Sequence, residues 1–363
     1  MNEQHISNIE KSLFYSLFKS SMENTHTDFW SGIVKQYGID AIRLFGIEPK
    51  EGEKLEDVRR EYLRFDLYIE TNQRVIVIEN KIKTAYTDEQ LEKYTEKLSK
   101  KCKKEVIKRL VTFFEDPEVL PEGWLALRYT DISDNLKSLN FDHPLVPEYK
   151  YILENLNAIF TGFEISDKKY EIGYSDKVNQ LKTISFDDIY KKYKAQQFEK
   201  YLKENLNKDG HYYIDSYFVS GQGAVDIRVA NINGKEGKEA ILLGITLQGD
   251  KYKRSVAIGT KTDFYKEHKL PDENNISSKC LEDIKWLELS EKEKENSSLR
   301  DKSDYNTFGL KEQFNTLYKY RHFNINENIF GDLSYERICE YIKNDIANFE
   351  KQRPEIQELL IGK

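Results

Sequence analysis

The chain has 363 residues, which at about 150 residues per domain argues for two domains. Hydrophobic residues make up 39% and aromatic residues 13%, enough for a sizeable core, so a wholly disordered chain is excluded. The 56 Lys and Arg are outnumbered by 63 Asp and Glu, and the net charge of -7 excludes a coat of basic charge while allowing a local basic patch.

Cys102, Cys280 and Cys339 are widely spaced, form no C-x-x-C pair, and read as reduced thiols. The N-terminal residues are too polar for a signal peptide, and no apolar run reaches the ~18 residues that span a membrane. A soluble, cytoplasmic protein without membrane association is the expectation.

Ile6, Ile9, Leu13, Phe14, Leu17 and Phe18 recur at helical spacing, predicting one opening helix that ends near Ser21. Thr25-His26-Thr27-Asp28 reads as a capping box starting a second helix, buried through Trp30, Ile33, Val34 and Tyr37. Glu23 and His26 lie at the junction. After a polar stretch from Pro49 to Asp57, residues 62–70 alternate as a strand. A turn at 71–73 leads into a strand over 74–83, whose apolar first half predicts a central place in its sheet. A capping box over 87–90 opens a helix with Leu91, Tyr94 and Leu98 on one stripe. Residues 106–114 and 124–129 read as further strands, split by a turn around Pro117 and Pro121. Beyond about residue 160, a helix over 186–205 precedes strands at 212–219, 224–230, 240–248 and 254–258, a second and mostly antiparallel sheet. Residues 291–306 read as a surface loop and 335–360 as a closing helix broken near Pro354.

The residues that carry chemistry sit on the first hairpin. Asp66 lies in one strand and Glu79-Asn80-Lys81 in the next, where Glu79 and Lys81 share a face and Asn80 points away. Two carboxylates and an ammonium thus converge where the apolar run Val75 to Ile78 abruptly becomes charged. A cross-strand salt bridge explains such a string, and so does a divalent cation; oxygen ligands favour Mg²⁺ or Mn²⁺.

Asp66, Glu79 and Lys81, on a hairpin followed by a helix, resemble the D…E-x-K core of the PD-(D/E)XK nuclease superfamily. Gln90 and Tyr94 resemble the Q-x-x-x-Y motif of its RecB-like branch, and Glu23-Asn-Thr-His-Thr-Asp-Phe29 resembles the E-N-x-H-[ST]-x-F segment of a bacterial subfamily. Arg128-Tyr-Thr-Asp-Ile132 and Gly244-Ile-Thr-Leu-Gln-Gly249 look like further segments of that subfamily. Phe65 stands where the superfamily often has Pro.

The resemblance implies a restriction-endonuclease-like α/β fold, a mixed sheet flanked by helices, and a metal-dependent nuclease acting on DNA, in a setting such as bacterial defence. It implies that Asp66, Glu79 and the carbonyl of Asn80 ligate Mg²⁺ (or Mn²⁺), with Glu23 completing the shell directly or through water. Lys81 would orient or help deprotonate the attacking water, and in-line attack would leave a 5′-phosphate. Gln90 and Tyr94 would sit at the catalytic site and His26 would contact phosphate or water, although a helix cap, a core tyrosine and a local hydrogen bond explain them equally.

Between Lys97 and Arg109 lie seven basic residues (Lys97, Lys100, Lys101, Lys103, Lys104, Lys108, Arg109) against one acid, Glu105, a candidate nucleic-acid track or a solvated helix end. No P-loop, dinucleotide fingerprint, nucleophile elbow or H-E-x-x-H helix is present. The expected organisation is a nuclease-like domain over 1–160 and an α+β domain over 161–363, the latter recognising substrate, a partner protein or a second copy in a homodimer. The competing reading is a catalytically inactive module of the same fold that binds nucleic acid or protein.

Overall fold

The computed structural model describes residues 2–18, 23–82, 88–113, 120–163, 167–173, 175–206, 211–232, 241–259, 284–297 and 316–361. The chain forms two compact units, one built from Met1–Ser166 and Asp176–Tyr190, the other from Asp167–Ser175 and Lys191–Lys363.

In the first unit the opening segment is two helices, α1 (Asn2–Lys11) and α2 (Leu13–Phe18), where the apolar spacing predicts one. Ser12 causes the break: its hydroxyl accepts the Tyr15 amide at 3.4 Å as an N-cap does, and donates to Glu148 at 3.2 Å. Helix α3 (Glu23–Tyr37) starts two residues before the expected capping box. Thr27 is no cap either; its hydroxyl donates to the Glu23 carbonyl one turn back, at 2.8 Å.

A five-stranded sheet follows, in the order β1 (Leu55–Tyr62), β2 (Phe65–Thr71), β3 (Arg74–Lys81), β4 (Glu105–Thr112), β5 (Trp124–Arg128). The first three strands pair antiparallel and the last three parallel, the mixed sheet that the resemblance implies. Parallel pairing demands a crossover, which α4 (Asp88–Lys101) supplies. Seven of the eight residues of β3 are buried, as the Val75 to Ile78 run predicts for a central strand.

Helix α4 covers one face of the sheet, where Leu91 and Leu98 join Phe65, Tyr68, Val75, Val77, Leu110 and Trp124 in one cluster. Helix α5 (Tyr129–Ser138) and α6 (Leu145–Gly162) supply Tyr129 and Tyr149, both fully buried, to an aromatic group with Trp30 and His26 of α3. Helix α7 (Asp176–Lys182) closes the unit, and α8 (Asp187–Leu206) begins in it and continues into the second.

The second unit holds an antiparallel sheet in the order β10 (Thr316–Asn324), β9 (Lys251–Gly259), β8 (Ile241–Gln248), β7 (Gln222–Ile232), β6 (Tyr213–Val219). Two sequence expectations fail here. The predicted loop over 291–306 contains a short helix, Glu291–Glu295, capped by Ser290, with residues 298–306 outside the described set. The C-terminal helix Tyr335–Ile361 runs through Pro354 without ending. Its apolar stripe continues past the proline, from Ile342, Ile346 and Phe349 to Ile356, and that shared burial holds the helix course.

Under this sheet Arg254 is buried, its Nε 2.8 Å from Asp345 Oδ2 and its Nη2 2.7 Å from Glu293 Oε1. Cys102 and Cys339 are free thiols, and Cys280 lies outside the described residues. Among the described residues, no helix is long and apolar enough to cross a membrane.

Candidate active site

The register of the first sheet brings the acidic hairpin residues together. Leu67 faces Ile78, so Asp66, one residue earlier, comes opposite Glu79. Asp66 Oδ2 accepts the backbone N–H of Asn80 at 2.7 Å, which locks the carboxylate against the outgoing end of β3. Glu79 is 2% exposed and pairs with Lys81, Oε1 to Nζ 2.7 Å, on the same face two residues on.

Burial and the neighbouring Asp66 charge push the Glu79 carboxyl up to about 7. Burial likewise raises Asp66. Burial alone would lower the Lys81 ammonium, but the Glu79 carboxylate outweighs it and holds Lys81 above the usual lysine range. The pair of carboxylates therefore carries more negative charge than one ammonium offsets. That excess, presented by oxygen donors at the start of β2 and the end of β3, fits a hard divalent cation.

Asn80 points to the other face, as alternation requires, and its amide does structural work. Its Nδ2 donates to the Glu23 carbonyl at 3.0 Å and to the Thr27 hydroxyl at 3.4 Å, and its Oδ1 accepts the Tyr129 hydroxyl at 2.7 Å. One buried amide thus pins the first turn of α3 and the start of α5 to the strand that carries Glu79 and Lys81. Burial lifts the Tyr129 hydroxyl well above its ordinary value, so it stays protonated and donating.

Glu23 is brought to this end of the sheet, where its charge adds to that of the acidic pair. Its Oε1 accepts the Ile82 amide at 2.8 Å. Among the described residues no three of His, Cys, Asp and Glu gather as a metal cluster, yet Glu23 lies near enough for its charge to act on Asp66, Glu79 and Lys81 while its carboxylate holds the chain just past Lys81.

Arg60, which the sequence reading overlooks, completes the frame from β1. Its Nε donates to the Asp66 carbonyl at 2.9 Å, while its Nη1 pairs with the Asp28 carboxylate and reaches the Asn24 carbonyl at 3.3 Å. The available signal was the strand itself: Leu55–Tyr62 is mostly charged and buries Val58 alone, so its alternation is hard to read.

The remaining expected residues are placed as follows. Tyr94 packs edge-on against Phe65, ring centroids 5.5 Å apart, on the α4 face. Gln90 lies on α4 by its backbone, and its side chain, like Thr87, is outside the described residues. His26 is fully buried, its Nδ1 2.8 Å from the Tyr149 hydroxyl, which also accepts from Trp30 Nε1 at 3.0 Å. A ring with no accessible surface does not meet a phosphate, so the expected substrate contact is replaced by bracing of α3 against α6.

The basic cluster is also corrected. Arg74 faces Glu105 and Glu79 faces Leu110, so the end of α4 and the start of β4 lie five residues from the carboxylates, about 17 Å along the strand. Lys104 is spent on Glu56 at 2.7 Å and Glu70 at 3.0 Å, and Lys100 pairs with Glu96. Lys108 is buried, donating to the Glu122 carbonyl at 2.6 Å, and Arg109 donates to the Phe45 carbonyl at 3.2 Å. Lys97, Lys101 and Lys103 are left as exposed cations, at the far end of the sheet from Glu79.

Residues 12–215 match the family model described as PD-(D/E)XK nuclease superfamily, a span that exceeds half of the chain and contains every residue of this site. No curated protein and no solved structure matches the chain.

Proposed function

The chain belongs to the PD-(D/E)XK nuclease superfamily, and from that premise we propose that it is an active nuclease hydrolysing phosphodiester bonds in DNA with Mg²⁺ held by Asp66, Glu79 and the Asn80 carbonyl. The observation that carries the proposal is the intact Asp66, Glu79, Lys81 set on one sheet face, with Glu79 buried and its carboxyl lifted to about 7 by burial and by Asp66. A buried carboxylate pair costs folding free energy unless a cation offsets it. When bound, such a cation supplies positive charge to the phosphodiester oxygens and makes water a stronger acid.

The protein's own groups divide the remaining work. Lys81 Nζ, kept protonated by Glu79, donates a hydrogen bond and offsets charge growing on the phosphate. Asp66 is fixed by the Asn80 amide and by Arg60 at its own carbonyl, so little reorganisation accompanies binding. Glu23 and the Asn80 side chain hold the segment leaving Lys81.

The test is cleavage of supercoiled and linear DNA by the full chain with Mg²⁺ or Mn²⁺. Conversion of the plasmid to nicked or linear form, lost in Asp66→Ala and in Lys81→Ala while both variants retain the native melting transition, is expected. Absence of cleavage under either metal, or cleavage unchanged in those variants, overturns the assignment.

A further inference from the structure

The alternation that sends Asn80 to one face of the first sheet also sorts the residues at the end of β5. Asn80 Oδ1 accepts the Tyr129 hydroxyl at 2.7 Å on the α3 side of the sheet. The residue before Tyr129 therefore shares the opposite face with the two residues that flank Asn80, and these are Arg128 on one strand and Glu79 and Lys81 on the other. Trp124, four residues earlier on β5, lies on that same face, where it packs with Leu91 and Leu98 of α4 and its Nε1 donates to Thr95 at 3.1 Å. Arg128 is still extended, with φ -91° and ψ 158°, so alternation runs unbroken from Trp124 through Ala126 to Arg128.

The register places Arg128 in line with Lys81. Lys81 pairs with Thr112 and Thr112 with Arg128, so the three form one row across the last three strands. Neighbouring strands lie about 4.8 Å apart, which separates the Lys81 and Arg128 backbones by about 10 Å. Thr112 between them is short and buried, and a long cationic side chain stands on either side of it. Each of the three is the last residue of its strand, and β3, β4 and β5 run parallel, so the row marks the carboxyl end at which open α/β sheets bind their ligands.

Charge distinguishes the two ends of the row. The Lys81 ammonium is paired with Glu79 at 2.7 Å and feels Asp66 and Glu23 as well, so the corner around it is acidic. A phosphodiester strand entering that corner is repelled by carboxylates unless cations beyond Lys81 receive it. Arg128 is exposed, and its guanidinium is charged at every relevant pH and offers a planar fork of donors that suits phosphate oxygens. Its backbone is also fixed relative to the reacting groups. The Arg128 amide donates to Asp131 Oδ2 at 2.7 Å, and the fully buried Tyr129 ties the next residue to Asn80, between Glu79 and Lys81. A cation anchored in this way pays less ordering entropy on binding than one carried on a free loop.

We propose that Arg128 binds the backbone phosphate of the DNA next to the scissile one, drawing the strand across Thr112 toward Lys81. This inference rests on the nuclease reading and adds to it a substrate-binding residue outside the Asp66, Glu79 and Lys81 set.

The experiment measures kcat and KM of the full chain on a labelled linear duplex with Mg²⁺, repeated from about 50 to 200 mM KCl. Arg128→Ala is expected to raise KM about tenfold with kcat within about twofold, and to make the log–log dependence of KM on salt shallower by about 0.9, the share of one phosphate contact. Its melting temperature should stay native, since the capping amide and Tyr129 are untouched. Arg128→Lys keeps the charge but not the fork, so it should restore the salt slope while recovering only part of KM. Arg128→Gln serves for the same comparison should the alanine variant fail to fold. A folded Ala or Gln variant with unchanged KM and salt slope overturns the phosphate contact while leaving the nuclease reading standing, and so does a loss confined to kcat. Absence of metal-dependent cleavage in the unmodified chain instead overturns the nuclease reading and the Arg128 contact with it.

Discussion

Glu79→Gln should stabilise the protein at neutral pH while abolishing cleavage. The Glu79 carboxyl has its folded value pushed up from 4.5 to about 7, by burial first and by Asp66 second. A carboxyl raised on folding is ionised more easily in the unfolded chain, so the unfolded state binds fewer protons between these two values and stability falls as pH rises through them. The shift corresponds to about 3 kcal/mol, absent below pH 4.5 and fully felt above pH 7. Glutamine keeps the shape and hydrogen-bonding oxygen without the charge. It also removes the partner of Lys81, whose ammonium then relies on Asp66 and Glu23. The net gain at pH 8 is accordingly expected at about 1–2 kcal/mol, with almost none at pH 4.5. Urea denaturation at half-unit steps from pH 4.5 to 8.5, without divalent ions, measures this directly. In the same window Mn²⁺ should restore stability to the unmodified chain but not to Glu79→Gln, and its binding should release protons, visible as a calorimetric heat that depends on the buffer. Parallel stability profiles for the two proteins would refute the electrostatic argument, whatever the cleavage assay gives.

Three other perturbations test the surrounding frame. Tyr129→Phe leaves the Asn80 Oδ1 buried without its donor and should cost about 1–2 kcal/mol, with cleavage falling further than the loss of folded protein explains, as read by denaturation and plasmid nicking. Glu53 is buried and bonded to Arg74 Nε and Nη2, Thr71 and the Lys50 amide; burial alone would raise its carboxyl, but these partners hold it below the usual value. Its contribution is therefore present above about pH 4.5 and lost as pH falls through the lower folded value, and Glu53→Ala should cost about 3–5 kcal/mol at pH 7 by melting while removing that acid-side slope. Arg254→Met strands the buried carboxylates of Asp345 and Glu293 and should cost about 3–5 kcal/mol; a loss below 1 kcal/mol in urea titration would show the network to be dispensable.

The catalytic hairpin was legible because its chemistry interrupts a strong pattern. Val75 to Ile78 is an unbroken apolar run, so the charges that follow it stand out, and strand alternation alone puts Glu79 and Lys81 on one face. What escaped the sequence depends on partners distant in the chain. Arg60 lies on an edge strand of mostly charged residues, and its meaning appears only when Asp66 and Asp28 are seen beside it. Asn80 was read for its carbonyl, whereas its amide joins three elements separated by 53 and 49 residues. The motif at Glu23 to Phe29 was recognised as a string, but His26 turned out to face Tyr149, 123 residues away, where no local rule could send it. The lysine cluster misled for the opposite reason. Closeness in sequence to α4 suggested closeness to the site, and the parallel crossover carries the chain to the other end of the sheet.

The order in which the chain visits its two units constrains how they can be taken apart. Residues Asp167–Ser175 belong to the second unit, yet Asp176–Tyr190 return to the first before the chain leaves again at Lys191. Any single cut therefore leaves at least one fragment without part of its own fold. A piece ending near residue 160 lacks α7 together with Val178, Leu181 and Phe186, all buried residues. A piece beginning at Lys191 lacks Tyr170 and Ile172, which belong to the second unit's core. Dissection needs fragments that respect the three crossings, such as a first unit in which residues 167–175 are replaced by a short linker. Truncation at either outer boundary should yield poorly folded material from one side, the first unit when cut after Ser166 and the second when cut after Tyr190.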